Sequence, residues 1–190
     1  MAARRQRVDV VDGEAADGVA QRPPVAVVMG VAGCGKSVIG AGVAARLGCR
    51  FIEGDQLHPP ENVERMASGL PLTDELRAGW LNRIGGELAA SVSRGEGAIA
   101  ACSALKRIYR DRLRGFVPDI LFVYPDIDPE TARQRVAGRK GHFMPASLVD
   151  SQFATLEPPH ADEHALTLDG KLPVETLVEH VASRLRSTVG

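Results

Sequence analysis

At 190 residues, with 44% hydrophobic and 25% charged side chains, the chain suits one soluble domain with a full core and is short for two. A net charge of −1 and 4% aromatic residues argue against a general nucleic-acid binder, a membrane-surface protein or a base-stacking platform. Cys34, Cys49 and Cys102 stand apart with no paired spacing, which excludes a disulfide framework or cysteine zinc site and fits a reducing compartment. No apolar run has the length of a signal peptide core or a membrane span. The expected location is the cytoplasm.

Residues 1–22, small, charged and Gly/Ala-rich, read as a mobile tail ahead of a single domain over 23–190. From Val25 the chain alternates strand and helix. Val25–Met29 is an apolar run of the kind that forms a buried parallel strand. A glycine-rich loop follows, then a helix over about Lys36–Leu47 stopped by Gly48. Arg50–Glu53 is the second strand, ending at Gly54-Asp55. Two helical stretches follow, about Pro60–Ser68 and Asp74–Arg94, split by Gly69-Leu70-Pro71. Ala98–Cys102 is the third strand and Leu105–Arg114 a helix on which Tyr109, Leu113 and Phe116 fall at core spacing. Ile120–Tyr124 is the fourth strand. Asp128-Pro129 reads as an N-cap with proline at the first helical position, opening a helix to about Gly138. A basic loop, Arg139–Met144, leads into a helix over about Pro145–Leu156. Ala165–Asp169 is the fifth strand and Val174–Leu185 the last helix. Five strands with helical crossovers make a three-layer α/β/α domain around a parallel sheet.

The chemistry starts at Gly30-Val31-Ala32-Gly33-Cys34-Gly35-Lys36-Ser37. This is the G-x-x-x-x-G-K-S spacing in which glycines let successive backbone N–H groups converge on phosphate oxygens, aided by the following helix N-terminus. Lys36 is placed to reach the β- and γ-phosphates and Ser37 to ligate Mg²⁺, so the loop binds ATP or a related nucleoside triphosphate with magnesium. No N-K-x-D guanine-reading element is present and the chain is short for a motor; a small-molecule kinase is the natural reading. The third strand ends in Cys102-Ser103 instead of an acid. Asp55, read as the acid ending the second strand, therefore takes on much of the magnesium and general-base question, with a simple loop or N-cap aspartate as its alternative.

Several separated segments resemble the gluconokinases. They are Gly54-Asp55-Gln56-Leu57-His58-Pro59; Asn62 and Met66; Gly69–Asp74 with Arg77 and Trp80-Leu81; Ala101–Arg107 with Tyr109-Arg110-Asp111; Gly141-His142-Phe143-Met144; and Ser151-Gln152-Phe153 through Leu156-Glu157-Pro158. The resemblance implies a P-loop kinase fold with strand order 2-3-1-4-5 and a helical lid over about 133–146. It also implies ATP-dependent phosphorylation of D-gluconate at the 6-hydroxyl by an enzyme that is often a homodimer. It puts Asp55 and His58 on sugar hydroxyls and Arg77, Lys106 and Arg107 on the carboxylate or incoming phosphate, with His142 and Gln152 also on the substrate side. Arg135, Arg139 and Lys140 of the lid would close over the phosphates. For Lys106 and Arg107 the alternative is a solvated helix face shared with Arg110, Arg112 and Arg114. One departure concerns Glu75–Trp80, where the family carries an acidic run and a proline before the tryptophan; it puts the local geometry of that helix in question. Shikimate-type kinases would show an acidic D-x-D after the second strand. A non-catalytic ATP-binding regulator would be expected to lack Lys36, Asp55 or the lid arginines, and all are present.

Overall fold

The computed structural model describes residues 22–138 and 147–187. Five parallel strands, β1 (Val25–Val28), β2 (Arg50–Glu53), β3 (Ala98–Ala101), β4 (Leu121–Asp126) and β5 (Ala165–Asp169), form one sheet in the order β2-β3-β1-β4-β5. Seven helices are described: α1 (Lys36–Leu47), α2 (Pro60–Ala67), α3 (Asp74–Ser93), α4 (Arg107–Arg114), α5 (Pro129–Ala137), α6 (Ser147–Thr155) and α7 (Val174–Arg186). The expected strand order and three-layer architecture are both present.

The strand alternation of β1 explains the layers. Val25, Val27 and Met29 face one side, where they pack with Trp80, Leu81, Ile84 and Leu88 of α3 and with Tyr109 and Leu113 of α4. Ala26 and Val28 face the other, against Ile39 and Val43 of α1 and Leu177, Val178 and Val181 of α7. Both faces are covered, so the strand reads as a continuous apolar run. A third cluster lies under the glycine loop. There Val31, Ala32 and Cys34 pack on Leu105, Ala132, Val136 and Val149, so the loop rests on α5 and α6. Among the described residues no helix is long and apolar enough to cross a membrane.

Helix ends follow local chemistry. The Asp128 side chain accepts from Thr131 N at 2.8 Å and the Thr73 hydroxyl accepts from Leu76 N at 3.4 Å, the two side-chain N-caps of α5 and α3. The Glu75–Trp80 departure leaves α3 regular. An unforeseen element is a single 3₁₀ turn at Gly54–Leu57. Phe116 corrects the core expectation: it is 40% exposed, lying over Gly85 on α3 with its outer face open. The ring rests in the space that Gly85 leaves on the helix, where a Cβ would meet it at 2.4 Å.

Arg110 is the larger correction. Its neighbours on α4 belong to a charged face, yet Arg110 is fully buried, paired bidentately with Glu163 at 2.7 Å through Nε and Nη2. Its Nη1 donates to the carbonyls of Ala104 (3.2 Å), Leu105 (3.3 Å) and Glu157 (3.0 Å). One guanidinium thus joins the segment after β3, the end of α6 and the approach to β5. A charge is tolerated there because all three of its nitrogens have acceptors.

Glu163→Gln leaves that guanidinium buried without a counter-charge and is expected to cost about 3–5 kcal/mol, measured by urea unfolding; a loss under ~1 kcal/mol would show the pair is open in solution. Arg110 holds the Glu163 carboxyl at about 2, below its ordinary 4.5. Such a depressed carboxyl contributes stability that is complete above its ordinary value and lost as pH falls through the folded value. The wild-type acid limb between these two values should therefore be steeper than that of Glu163→Gln.

Candidate active site

The site lies at the carboxyl edge of the sheet, where parallel-sheet proteins place their ligands. Helix α1 begins directly after the loop, has no side-chain cap and carries no acid in its first turn. Its first N–H groups and positive dipole end are left for an anion. The loop's shape requires glycine at Gly33, where φ is +84° and a Cβ would meet the Ala132 carbonyl oxygen at 2.7 Å. Gly30 N donates to Ser103 O at 3.0 Å, tying the loop to the segment after β3. Lys36 Nζ donates to Val31 O at 2.9 Å, and Gln152 Oε1 accepts from Ala32 N at 2.6 Å.

A cavity of about 440 Å³ opens beside this loop, a size typical of small-molecule sites. The loop contributes Ala32, Gly33, Gly35, Lys36 and Ser37. Opposite them stand Glu53, Asp55, Gln56 and His58, with Val63 and Met66 of α2, Leu72, Arg77 of α3, and Ser103, Ser151 and Gln152. Asn62, buried, donates to Leu76 O at 3.1 Å and so sets α2 against α3. Of the residues expected at the site, Lys36, Ser37, Asp55, His58, Arg77 and Gln152 all reach this one cavity.

Asp55 lies one step beyond its expected place. The acid that ends β2 is Glu53, and Asp55 belongs to the 3₁₀ turn that follows. Both carboxylates line the cavity, and neither forms an ion pair among the described residues. The signal for Glu53 in the sequence is its place as the last residue of the strand, on the ligand edge. Ser103 and Ser151, within segments that resemble the family but given no role there, also line the cavity.

The Arg77 guanidinium, half-buried, sits 5.8 Å from the Tyr109 ring centroid and forms no ion pair among the described residues. A cation placed on an aromatic face without a carboxylate partner is well disposed towards an anionic ligand. His58 stacks on Trp80, with ring centroids 4.1 Å apart and planes 13° from parallel. Burial, assisted by Arg77 and opposed by Asp55, pushes the imidazole down to about 4. It is neutral at physiological pH and suited to hydroxyl groups. Its Nδ1 is buried with no hydrogen-bond partner among the described residues. Burial pushes the Cys102 thiol up to about 12, so it supplies no thiolate.

Two expected contacts are not brought to the cavity. Lys106 is held by Asp74, with Nζ at 2.9 and 2.8 Å from its two carboxylate oxygens, and the Tyr109 hydroxyl bonds the same carboxylate. Arg107 pairs with Asp162 at 2.7 Å on the outer side of α4. Arg135, in the last turn of α5, donates to Gly170 O at 3.0 Å and Gly33 O at 3.5 Å. It lines a separate hollow of about 430 Å³ behind the loop with Gly35, Val38, Leu172 and Val174. Arg139, Lys140 and His142 lie outside the described residues, as do most of the expected lid and residues 1–21 of the tail.

An anion-cradling loop, two carboxylates and an unpaired guanidinium around one cavity make a constellation for phosphoryl transfer to a hydroxyl of an anionic acceptor. Comparison with known proteins agrees. The family model described as an AAA domain matches residues 25–159. A gluconokinase of Gluconobacter oxydans (strain 621H) is 48% identical over 160 residues, covering 84% of this chain and 90% of its own. The thermosensitive gluconokinase of Escherichia coli (strain K12) is 40% identical over 163 residues, 86% of each chain. The crystal structure of a gluconokinase from Sinorhizobium meliloti 1021 superposes with a TM-score of 0.79 at 41% identity, covering 89% of this chain and 95% of that one. With these identities and this superposition extending over most of each chain, the chain belongs to the gluconokinase family of P-loop kinases.

Proposed function

We propose that this protein transfers the γ-phosphoryl group of ATP to the 6-hydroxyl of D-gluconate, giving 6-phosphogluconate and ADP. The observation that carries the reading is that one cavity has Lys36 and Ser37 of the phosphate loop on one wall and Asp55, His58 and Arg77 on the other. Donor and acceptor sides of a transfer thus line one cavity.

The loop amides and the α1 N-terminus hold the β- and γ-phosphates, and Lys36 leaves the Val31 carbonyl to reach them. The hollow that Arg135 lines with Val38, Leu172 and Val174 suits the nucleoside, with Arg135 on the phosphate side. Among the described residues no three acidic, histidine or cysteine side chains form a metal cluster. The donor set present, the Ser37 hydroxyl with carboxylates nearby, nevertheless fits magnesium, which takes one or two protein oxygens together with substrate phosphates. When bound there, magnesium would neutralise charge developing on the transferring group. Asp55 accepts the proton of the attacking hydroxyl as the new O–P bond forms and the bond to the ADP oxygen breaks. Arg77 holds the gluconate carboxylate by its planar fork, and neutral His58 and Gln152 bond sugar hydroxyls. Roles for Arg139 at the phosphates and His142 at the acceptor rest on the motif alone. Residues 23–190 act as one kinase domain, and the free thiols of Cys34, Cys49 and Cys102 suit work in the cytoplasm.

ADP release with a panel of sugar acids tests the reading: turnover selective for gluconate is expected, and ATP binding without turnover on any acceptor would favour a non-catalytic regulator. Lys36→Ala should lower kcat by about 100-fold or more; near wild-type turnover would remove the loop assignment. Asp55→Asn should lower kcat by about 10²–10⁴-fold while ATP affinity stays within about twofold. If only the gluconate KM changes, Asp55 is a binding residue and not a base.

A further inference from the structure

The acceptor wall of the cavity is carried by a single short turn with little bonding of its own. Within Gly54–His58 the closing bond, His58 N to Asp55 O, is long at 3.5 Å, and the Asp55 carboxylate has no ion pair among the described residues. Something outside the turn must fix it. Trp80, on α3 and 1% exposed, touches it twice. The indole Nε1 donates to Gly54 O at 2.7 Å, and the indole face carries the His58 ring at 4.1 Å.

We propose that Trp80 is the positioning residue for the acceptor half of the site, fixing Asp55 through the Gly54 carbonyl and His58 through ring stacking. The first arm follows from peptide planarity. The Gly54 carbonyl belongs to the same rigid unit as the Asp55 nitrogen and Cα, so orienting that oxygen orients the point from which the Asp55 side chain leaves the backbone. Gly54 is also pressed against β3, since a Cβ there would meet Ala101 O at 2.3 Å. The peptide is therefore clamped between a strand behind and an indole in front. The second arm sets the plane of His58 and removes one ring face from water, which keeps the imidazole neutral as a partner for hydroxyls. Trp80 touches no phosphate-loop residue in these contacts, so its effect falls on the acceptor and not on the nucleotide.

The inference rests on the gluconate reading, and the experiment separates the two. Wild-type turnover of gluconate is measured first; its absence overturns the substrate reading alone. Trp80→Phe keeps an aromatic platform under His58 but loses the N–H, and Trp80→Leu loses both arms. Trp80→Phe is expected to lower kcat by ~10- to 100-fold, the cost of a small misplacement of a reacting group, with the ATP KM within about twofold of wild type. Trp80→Leu should in addition raise the gluconate KM by ~10-fold, as its His58 loses a fixed plane. Wild-type kcat in Trp80→Phe, or ATP and gluconate KM values rising together, would overturn the proposal in favour of a merely structural role. A readout independent of turnover is the NMR titration of His58 in the full chain, with the charges of Asp55 and Arg77 unchanged. It should fall at about 4 in wild type and move towards 6.5 in Trp80→Leu. Titration of wild-type His58 at the ordinary value would also overturn the platform. Both variants lack the sole tryptophan of the chain, so circular dichroism is used to check that each keeps the wild-type fold.

Discussion

The structure depends on a positive charge placed where water cannot reach it. Arg110 stands in the interior with every nitrogen bonded: Glu163 accepts from Nε and Nη2, and the carbonyls of Ala104, Leu105 and Glu157 accept from Nη1. A buried ion pair is weak evidence for stability, because desolvation offsets much of its attraction. Its use here is positional. Ala104 is held at φ +38°, the one described residue other than glycine with positive φ, a conformation that costs energy for a side chain with a Cβ. The guanidinium fixes the carbonyl of Ala104 itself and that of the next residue, Leu105. The segment then presents Ser103 to the cavity, offers its carbonyl to Gly30 and seats Leu105 beneath the phosphate loop.

The two halves of the site are organised by different means. The phosphate loop is held by its own backbone, by the sheet edge and by an apolar cluster beneath it, so its geometry is largely set before any ligand arrives. In the present state two of its donors have protein partners, Lys36 Nζ on Val31 O and the Ala32 amide on Gln152. The acceptor half is a short turn leaning on α3, where position is supplied by a neighbouring indole. Preorganisation of charge in the first half and placement of a nucleophile in the second are separate demands of phosphoryl transfer, and the fold meets them with separate elements.

Lys106 shows how the same chemistry can be diverted. It stands in the most motif-like segment, yet Asp74 and Tyr109 hold its ammonium group and its partner carboxylate together away from the cavity lining. That cluster joins the start of α3 to the start of α4. It also supplies the aromatic face beside which Arg77 rests. On the acceptor side Arg77 is then a cation left for a ligand, and its neighbour serves the frame.

The phosphate loop, the five strands and the α1 and α5 boundaries were legible in the sequence because each depends on local rules: glycine spacing, apolar runs, an aspartate cap before a proline. The acceptor segment was legible as a motif, and Asp55, His58 and Arg77 do converge. What no local rule contains is the partner of a charged side chain. Arg107, Arg110 and Lys106 lie within five positions on the chain and read alike, yet one faces Asp162, one is buried on Glu163 and one is held by Asp74. Those acids are 32 to 55 residues away, brought together only when the sheet and helices pack. The chain by itself determined a phosphate-binding α/β domain and the residue types of its site. The tertiary structure decided which cations are left for the substrate and which hold the frame, because that choice is made by pairing between residues far apart in the chain.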